Sequence, residues 1–200
     1  MRLPHATALF FLSVLSGTAL ATEPAWRTQP LPPEIATLNR TAESAATAAT
    51  AARIYAQSLR LFSSNGPALY GLGRALLDQG RASDALVILR RMNSQFPDDP
   101  VVLEALASAI TRLPSLRREN LAEGMAFAEQ ALRLQPDAPN AWHVLSVLRH
   151  LNGYYVLAFE AAQEAVALDE QNPTDPETTT LYQEQEIACN DALLVFSPLD

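Results

Sequence analysis

Residues 66–97 read GPALYGLGRALLDQGRASDALVILRRMNSQFP, two apolar-periodic segments joined at Asp78-Gln79-Gly80-Arg81. In the first segment Leu69, Leu72, Gly73 and Leu76 recur at the three- and four-residue steps that put side chains on one helical face. In the second, Ala85, Leu86, Leu89 and Met92 do the same, and Pro97 ends the run. A helical hairpin of this length cannot bury its apolar faces alone, so it needs neighbours of its own kind.

The flanking chain supplies them. A second copy begins at Pro100, 34 residues after Gly66, and Leu103, Leu106, Ala107 and Ile110 repeat the first-helix face. Its second helix is expected over Leu121–Leu134, ending in AEQALRLQP, after an insertion of about five residues around Leu113–Asn120. A third copy starts at Pro139. Trp142, Leu145 and Ser146 restate the first face, Gly153 marks the turn, and Ala158, Phe159, Ala162 and Ala165 restate the second. A period of 34 residues is the signature of a stacked helix-turn-helix array.

These residues resemble the tetratricopeptide-repeat family, well over 66–172 and loosely over 33–65. The resemblance rests on Leu69, Leu72-Gly73, Leu76, Ala85, Leu89, Met92 and Pro97 in the first copy, and on Trp142, Leu145, Ala158, Ala162 and Ala165 in the third. The chain departs from the family pattern at Ser146 and Arg149, and Gly124 stands where an alanine is usual. The resemblance implies an all-α fold of hairpins stacked in a right-handed solenoid, with repeats at 66–99, 100–138 and 139–172. Gly73 and Ala85 are expected where the two helices of a hairpin cross, letting the backbones close to about 8 to 10 Å.

Outside the repeats the chain divides into four pieces. Arg2, the apolar run Ala6–Leu15 and Ala19-Leu20-Ala21 describe an export signal over 1–21, the alternative being an uncleaved anchor. Pro24, Pro30, Pro32 and Pro33 predict an extended, non-helical tether over 22–33. Residues 34–65 are helical in pattern, as one long helix or two collinear ones, with a seam of alanines. Over 173–200 a capping helix is expected, burying Leu181, Ala188, Ala192 and Val195 while Glu177, Glu184 and Glu186 face water.

In the resembled family, first helices line a concave groove that takes peptides. On this chain that face carries Tyr70, Arg74 and Asp78, then Glu104, Ser108 and Arg112, then His143, Val147 and His150. Arg74 and Arg112 suit carboxylates as bidentate partners. Tyr70 offers an apolar ring with a hydrogen-bonding tip. His143 and His150, seven residues and about 10.5 Å apart along a helix, are too distant to share a metal, but imidazoles in a groove can charge near neutral pH. The lysine-and-asparagine clamp by which some family members hold a terminal carboxylate is absent.

Composition narrows the function. The whole chain carries a formal charge of −8, and removing residues 1–21 leaves thirteen arginines against 22 acids, a net −9. An acidic domain without basic clusters argues against nucleic acid or anionic membrane as partner. Cys189 is the only cysteine, so it is either a buried filler or an intermolecular link. The sequence contains no G-x-S-x-G, H-E-x-x-H, phosphate-binding glycine loop or C-x-x-C. The acidic pair Asp98-Asp99 is better placed to cap a helix than to catalyse. The expectation is a non-enzymatic module with no cofactor and no metal. It is exported to the bacterial periplasm or beyond, is not inserted in the membrane once its signal is removed, and binds a protein or peptide in envelope assembly or secretion. The alternative is a homo-oligomeric structural piece that self-associates through the ends of its solenoid.

Overall fold

A computed structural model describes residues 24–196. The expected export signal, the first two residues of the tether and the last four residues of the chain lie outside that range. The described residues form nine helices: α1 Pro33–Glu43, α2 Ala48–Leu61, α3 Gly66–Asp78, α4 Ala82–Gln95, α5 Pro100–Thr111, α6 Arg118–Leu134, α7 Pro139–Leu151, α8 Tyr155–Gln171 and α9 Pro176–Phe196. Successive helices pack in pairs, and each pair packs on the next. The result is the expected all-α array.

The starts and stops follow local chemistry. Asn65, Asp99 and Asp175 accept backbone N–H groups at the beginnings of α3, α5 and α9, and proline opens α1, α5, α7 and α9, where its missing N–H costs nothing. Gly80 and Gly153, at φ 71° and 81°, end α3 and α7. In both turns the glycine N–H and the next N–H return to carbonyls of the last turn (Arg81 to Leu76 at 2.9 Å, Tyr154 to Arg149 at 2.9 Å), satisfying groups a helix end leaves orphaned.

The repeat register is visible in burial. Counting from the first residue of each helix, the seventh is Leu72 in α3, Leu106 in α5, Leu145 in α7 and Tyr182 in α9, and all four are buried. The eighth, Gly73, faces the second helix of its own hairpin: a Cβ added there would lie 2.8 Å from Leu89 of α4. Gly124 of α6 is also closely packed: a Cβ added there would lie 2.9 Å from Leu148 of α7.

First helices α1, α3, α5, α7 and α9 each touch the next in that series, whereas α2, α4, α6 and α8 do not pack on one another. The stack is therefore tighter along the first-helix side, which makes that side the inner wall. On the outer side the link from α4 to α6 is an exposed ion pair, Arg90 to Glu123 at 2.8 Å.

Four expectations need correction. Residues 34–65 are a hairpin, not a continuous or collinear helix: α1 closes at Glu43 and Thr47 caps α2 through Thr50 N at 3.2 Å. Alanine spacing alone does not register that break. Residues 24–32 are non-helical as expected but are no free tether, because Trp26 is buried and Gln29 bonds Ser64 O at 3.1 Å and Gly66 N at 2.9 Å. Helix α6 begins at Arg118, three residues early, and Leu113 and Leu116 of the insertion pack on the core.

The fourth concerns α9, whose buried residues are Tyr182, Cys189 and Ala192, while Leu181, Ala188 and Val195 are exposed. It sits as one more first helix against α8 and α7, so its inward stripe follows Tyr182 in the leucine register.

Candidate functional site

Seven of the nine predicted residues fall into two depressions of the inner wall, with Glu104 between them and His150 apart. At the wall's N-terminal end, Tyr70, Arg74 and Asp78 of α3 line a depression completed by the α1–α2 turn, Trp26, Arg27 and Tyr55. Trp26 lies against Tyr70 with ring centroids 4.9 Å apart, and Arg27 reaches over the indole at 5.1 Å. Tyr55 of α2 lies against Gly71, where an added Cβ would come within 2.3 Å of the phenol ring. The aromatic floor thus depends on a missing side chain. Burial pushes the Tyr55 phenol above its ordinary range, with Glu43 adding to the effect.

Arg74 is the cation of this depression. Burial pulls its guanidinium pKa down, but a hydrogen bond from its Nη1 to the Tyr70 hydroxyl (3.5 Å) and the charges of Asp78 and Glu104 raise it overall. It stays charged. Glu104 lies deeper, on α5. Burial pushes its carboxyl up, while the Asn140 side-chain amide, which donates to it, and Arg74 hold it down. The polar line Arg74–Glu104–Asn140 runs across α3, α5 and α7 on the inner wall.

A second, smaller depression gathers Ser108, Arg112, His143 and Val147 with Leu181 of α9. His143 does not behave as expected. It is 9% exposed, its ring lies tilted against Tyr182 with centroids 5.1 Å apart, and its Nδ1 has no hydrogen-bond partner among the described residues. Burial lowers its pKa to about 4, so the imidazole is neutral near pH 7 and is no neutral-pH switch. Tyr182, also buried, is pushed up to about 12, with the charges of Glu104, Asp169 and Asp175 adding to the effect.

His150 leaves the wall altogether. Its Nδ1 lies 3.6 Å from Cys189 Sγ and its ring meets Tyr155 edge-on at 5.6 Å. Cys189 is fully buried, its sulfur accepts from Gln185 Nε2 at 3.2 Å, and burial pushes the thiol up, away from the thiolate a nucleophile needs. Helix α9 has taken two of the three predicted α7 positions into its own packing.

The sequence reading missed Trp26, Arg27, Tyr55 and the α1–α2 turn. A tryptophan among prolines and the tight spacing Tyr70-Gly71-Leu72-Gly73 were the available signals. Neither has a helical period to announce it.

Residues 44–109 and 116–173 each match a family described as tetratricopeptide repeat. No curated protein sequence matches the chain. Among solved structures, TTC0263, a thermophilic TPR protein of Thermus thermophilus, aligns with TM-score 0.64 at 19% identity over 80% of this chain and 86% of its own. MamA 41-end from Desulfovibrio magneticus RS-1 aligns with TM-score 0.62 at 13% identity over 84% and 100%. The Sgt2 TPR domain from Aspergillus fumigatus gives 0.53 at 20% identity over 68% and 86%. At these identities the likeness is one of fold.

Proposed function

We propose that this chain, which matches tetratricopeptide repeats over residues 44–109 and 116–173, is an exported adaptor holding a segment of another protein along its inner wall. Proteins of this repeat class are generally non-catalytic scaffolds, and the assignment here is a binding module without an enzymatic step. The observation that carries it is the depression at α3, where a floor of Trp26, Tyr55 and Tyr70 is flanked by Arg27 and Arg74 on one hand and Glu43 and Asp78 on the other. Such a surface takes an apolar side chain on its rings while fixing direction with charges of both signs.

Arg112, exposed beside Ser108 and Val147, extends the contact toward α7. The guest is an extended or helical peptide stretch with at least one carboxylate for Arg74 or Arg112. The export signal read in residues 1–21 supports a station in the bacterial envelope, with a part in assembly or secretion there.

The test is affinity capture from an envelope extract using the wild-type chain and the Arg74→Ala/Arg112→Ala double variant. A protein retained by the first and lost by the second is the expected result. Equal retention by both would remove the inner wall as the binding face.

A further inference from the structure

Among the described residues no second helix packs on α9 as α4, α6 and α8 pack on α3, α5 and α7. In α3, α5 and α7 the eighth residue (Gly73, Ala107 and Ser146) is buried. The corresponding Gln183 of α9 is exposed, and no described helix follows α9. Ile187 and Leu194 lie four and eleven residues further on, hence on the same face, and are 61% and 75% exposed. Phe196, stacked on Tyr155 at 4.9 Å, and the exposed Val156 and Leu157 carry the apolar surface round to the start of α8.

Charge says what fits there. Residues 155–196 contain nine Asp and Glu and no Arg or Lys. On α9, Glu177, Glu184 and Asp191 recur every seven residues and form one line beside Ile187 and Leu194. None of the three has an ion-pair partner among the described residues. A second copy set α9 against α9 would bring like charges together. A helix with leucine-type residues on one side and arginine or lysine on the other meets both features.

We propose that the α9 edge docks a basic amphipathic helix of a partner protein, in the place that α4, α6 and α8 take against α3, α5 and α7. The surface is separate from the inner wall, so the two readings stand or fall independently.

The probe is a fluorescein-labelled synthetic helix of about twenty residues with leucines on one face and lysines on the other, titrated against the full chain by anisotropy. A matched helix with glutamates for lysines is the control. The expected result is one-to-one binding of the lysine helix, at least tenfold weaker for Ile187→Ser/Leu194→Ser and for Glu184→Gln/Asp191→Asn. Arg74→Ala, which lies on the inner wall, should change it less than twofold. All substitutions are at exposed positions, and unchanged melting confirms that each variant folds. Binding that survives both double variants, or equal binding of the glutamate helix, overturns the proposal. So does sedimentation showing a dimer of the free chain that Ile187→Ser/Leu194→Ser dissolves, because the occupant is then a second copy.

Discussion

Asn39 and Asn65 exchange side-chain hydrogen bonds, each amide nitrogen donating to the other's oxygen, at 3.1 and 3.0 Å. Both are buried, 26 residues apart, one on α1 and one before α3. Ser58 of α2 donates to Asn39 Oδ1 at 2.9 Å and accepts from Asn65 Nδ2 at 2.8 Å. Asn65 Oδ1 also takes the N–H of Ala68, capping α3. One polar knot joins the first hairpin to the first repeat.

Asn65→Ala removes a cap and leaves Asn39 and Ser58 short of partners in the interior. The expected loss is about 2–4 kcal/mol, read as a lower midpoint in urea unfolding. Asn39→Ala should cost less, because the α3 cap survives. Equal losses would show that the cap contributes little.

Gly73→Leu forces a side chain into space occupied by Leu89, with an expected loss of about 1–3 kcal/mol. Leu72→Ala, opening a cavity at the seventh position, should cost about 2–5 kcal/mol. Thermal melts of both variants check the register. Gly71→Ala displaces the Tyr55 ring, and the drop in stability should come with a change in tyrosine environment visible by near-ultraviolet circular dichroism.

Trp26 is buried with its indole N–H unpartnered among the described residues. Trp26→Phe keeps an aromatic ring and discards that donor, so stability should hold within about 1 kcal/mol. Trp26→Ala should release residues 24–32 and cost about 2–4 kcal/mol, near the lower end of aromatic truncations because the segment docks through few residues. Proteolysis between Trp26 and Pro33, fast in the alanine variant and slow in the phenylalanine variant, distinguishes docking from general stability.

His143 has a folded pKa of about 4 against an ordinary 6.5. The unfolded chain therefore binds this proton first as pH falls, and the stability held by a neutral His143 is lost from about pH 6.5 down to about 4. The slope is at most about 1.4 kcal/mol per pH unit. In His143→Leu that part of the pH dependence should vanish. Urea midpoints measured from pH 7 to pH 4 test it, and an unaltered slope in the variant would assign the effect elsewhere.

Cys189 should resist a thiol reagent in the native chain and react at the ordinary rate once unfolded, because its thiol is buried and held protonated. Stopped-flow labelling with and without urea measures the ratio.

The array was legible because a 34-residue period and a leucine at the seventh residue of each of α3, α5 and α7 are properties of a line of residues. The α3 trio was legible for the same reason: Tyr70, Arg74 and Asp78 follow the helical step on the face opposite Leu69 and Leu72. His143 and His150 follow it equally well, yet their surroundings depend on how α9 packs, and α9 was read one residue out of register. Tyr182 carries a hydroxyl, and a leucine-based pattern passes over it. Trp26 and the α1–α2 turn entered the site through contacts between distant, aperiodic residues, which spacing cannot express.

Each second helix packs on the next first helix, and first helices also touch one another, while α4 and α6 meet through the Arg90–Glu123 pair, so the stack resembles a book bound more tightly toward one edge. Flattening it separates packed apolar surfaces along the spine. Curling it more tightly strains the packing of α2 on α3, α4 on α5 and α6 on α7 as well as the outer ion pair, which salt weakens. Both bends work against packed helices, so a guest meets a wall of set curvature.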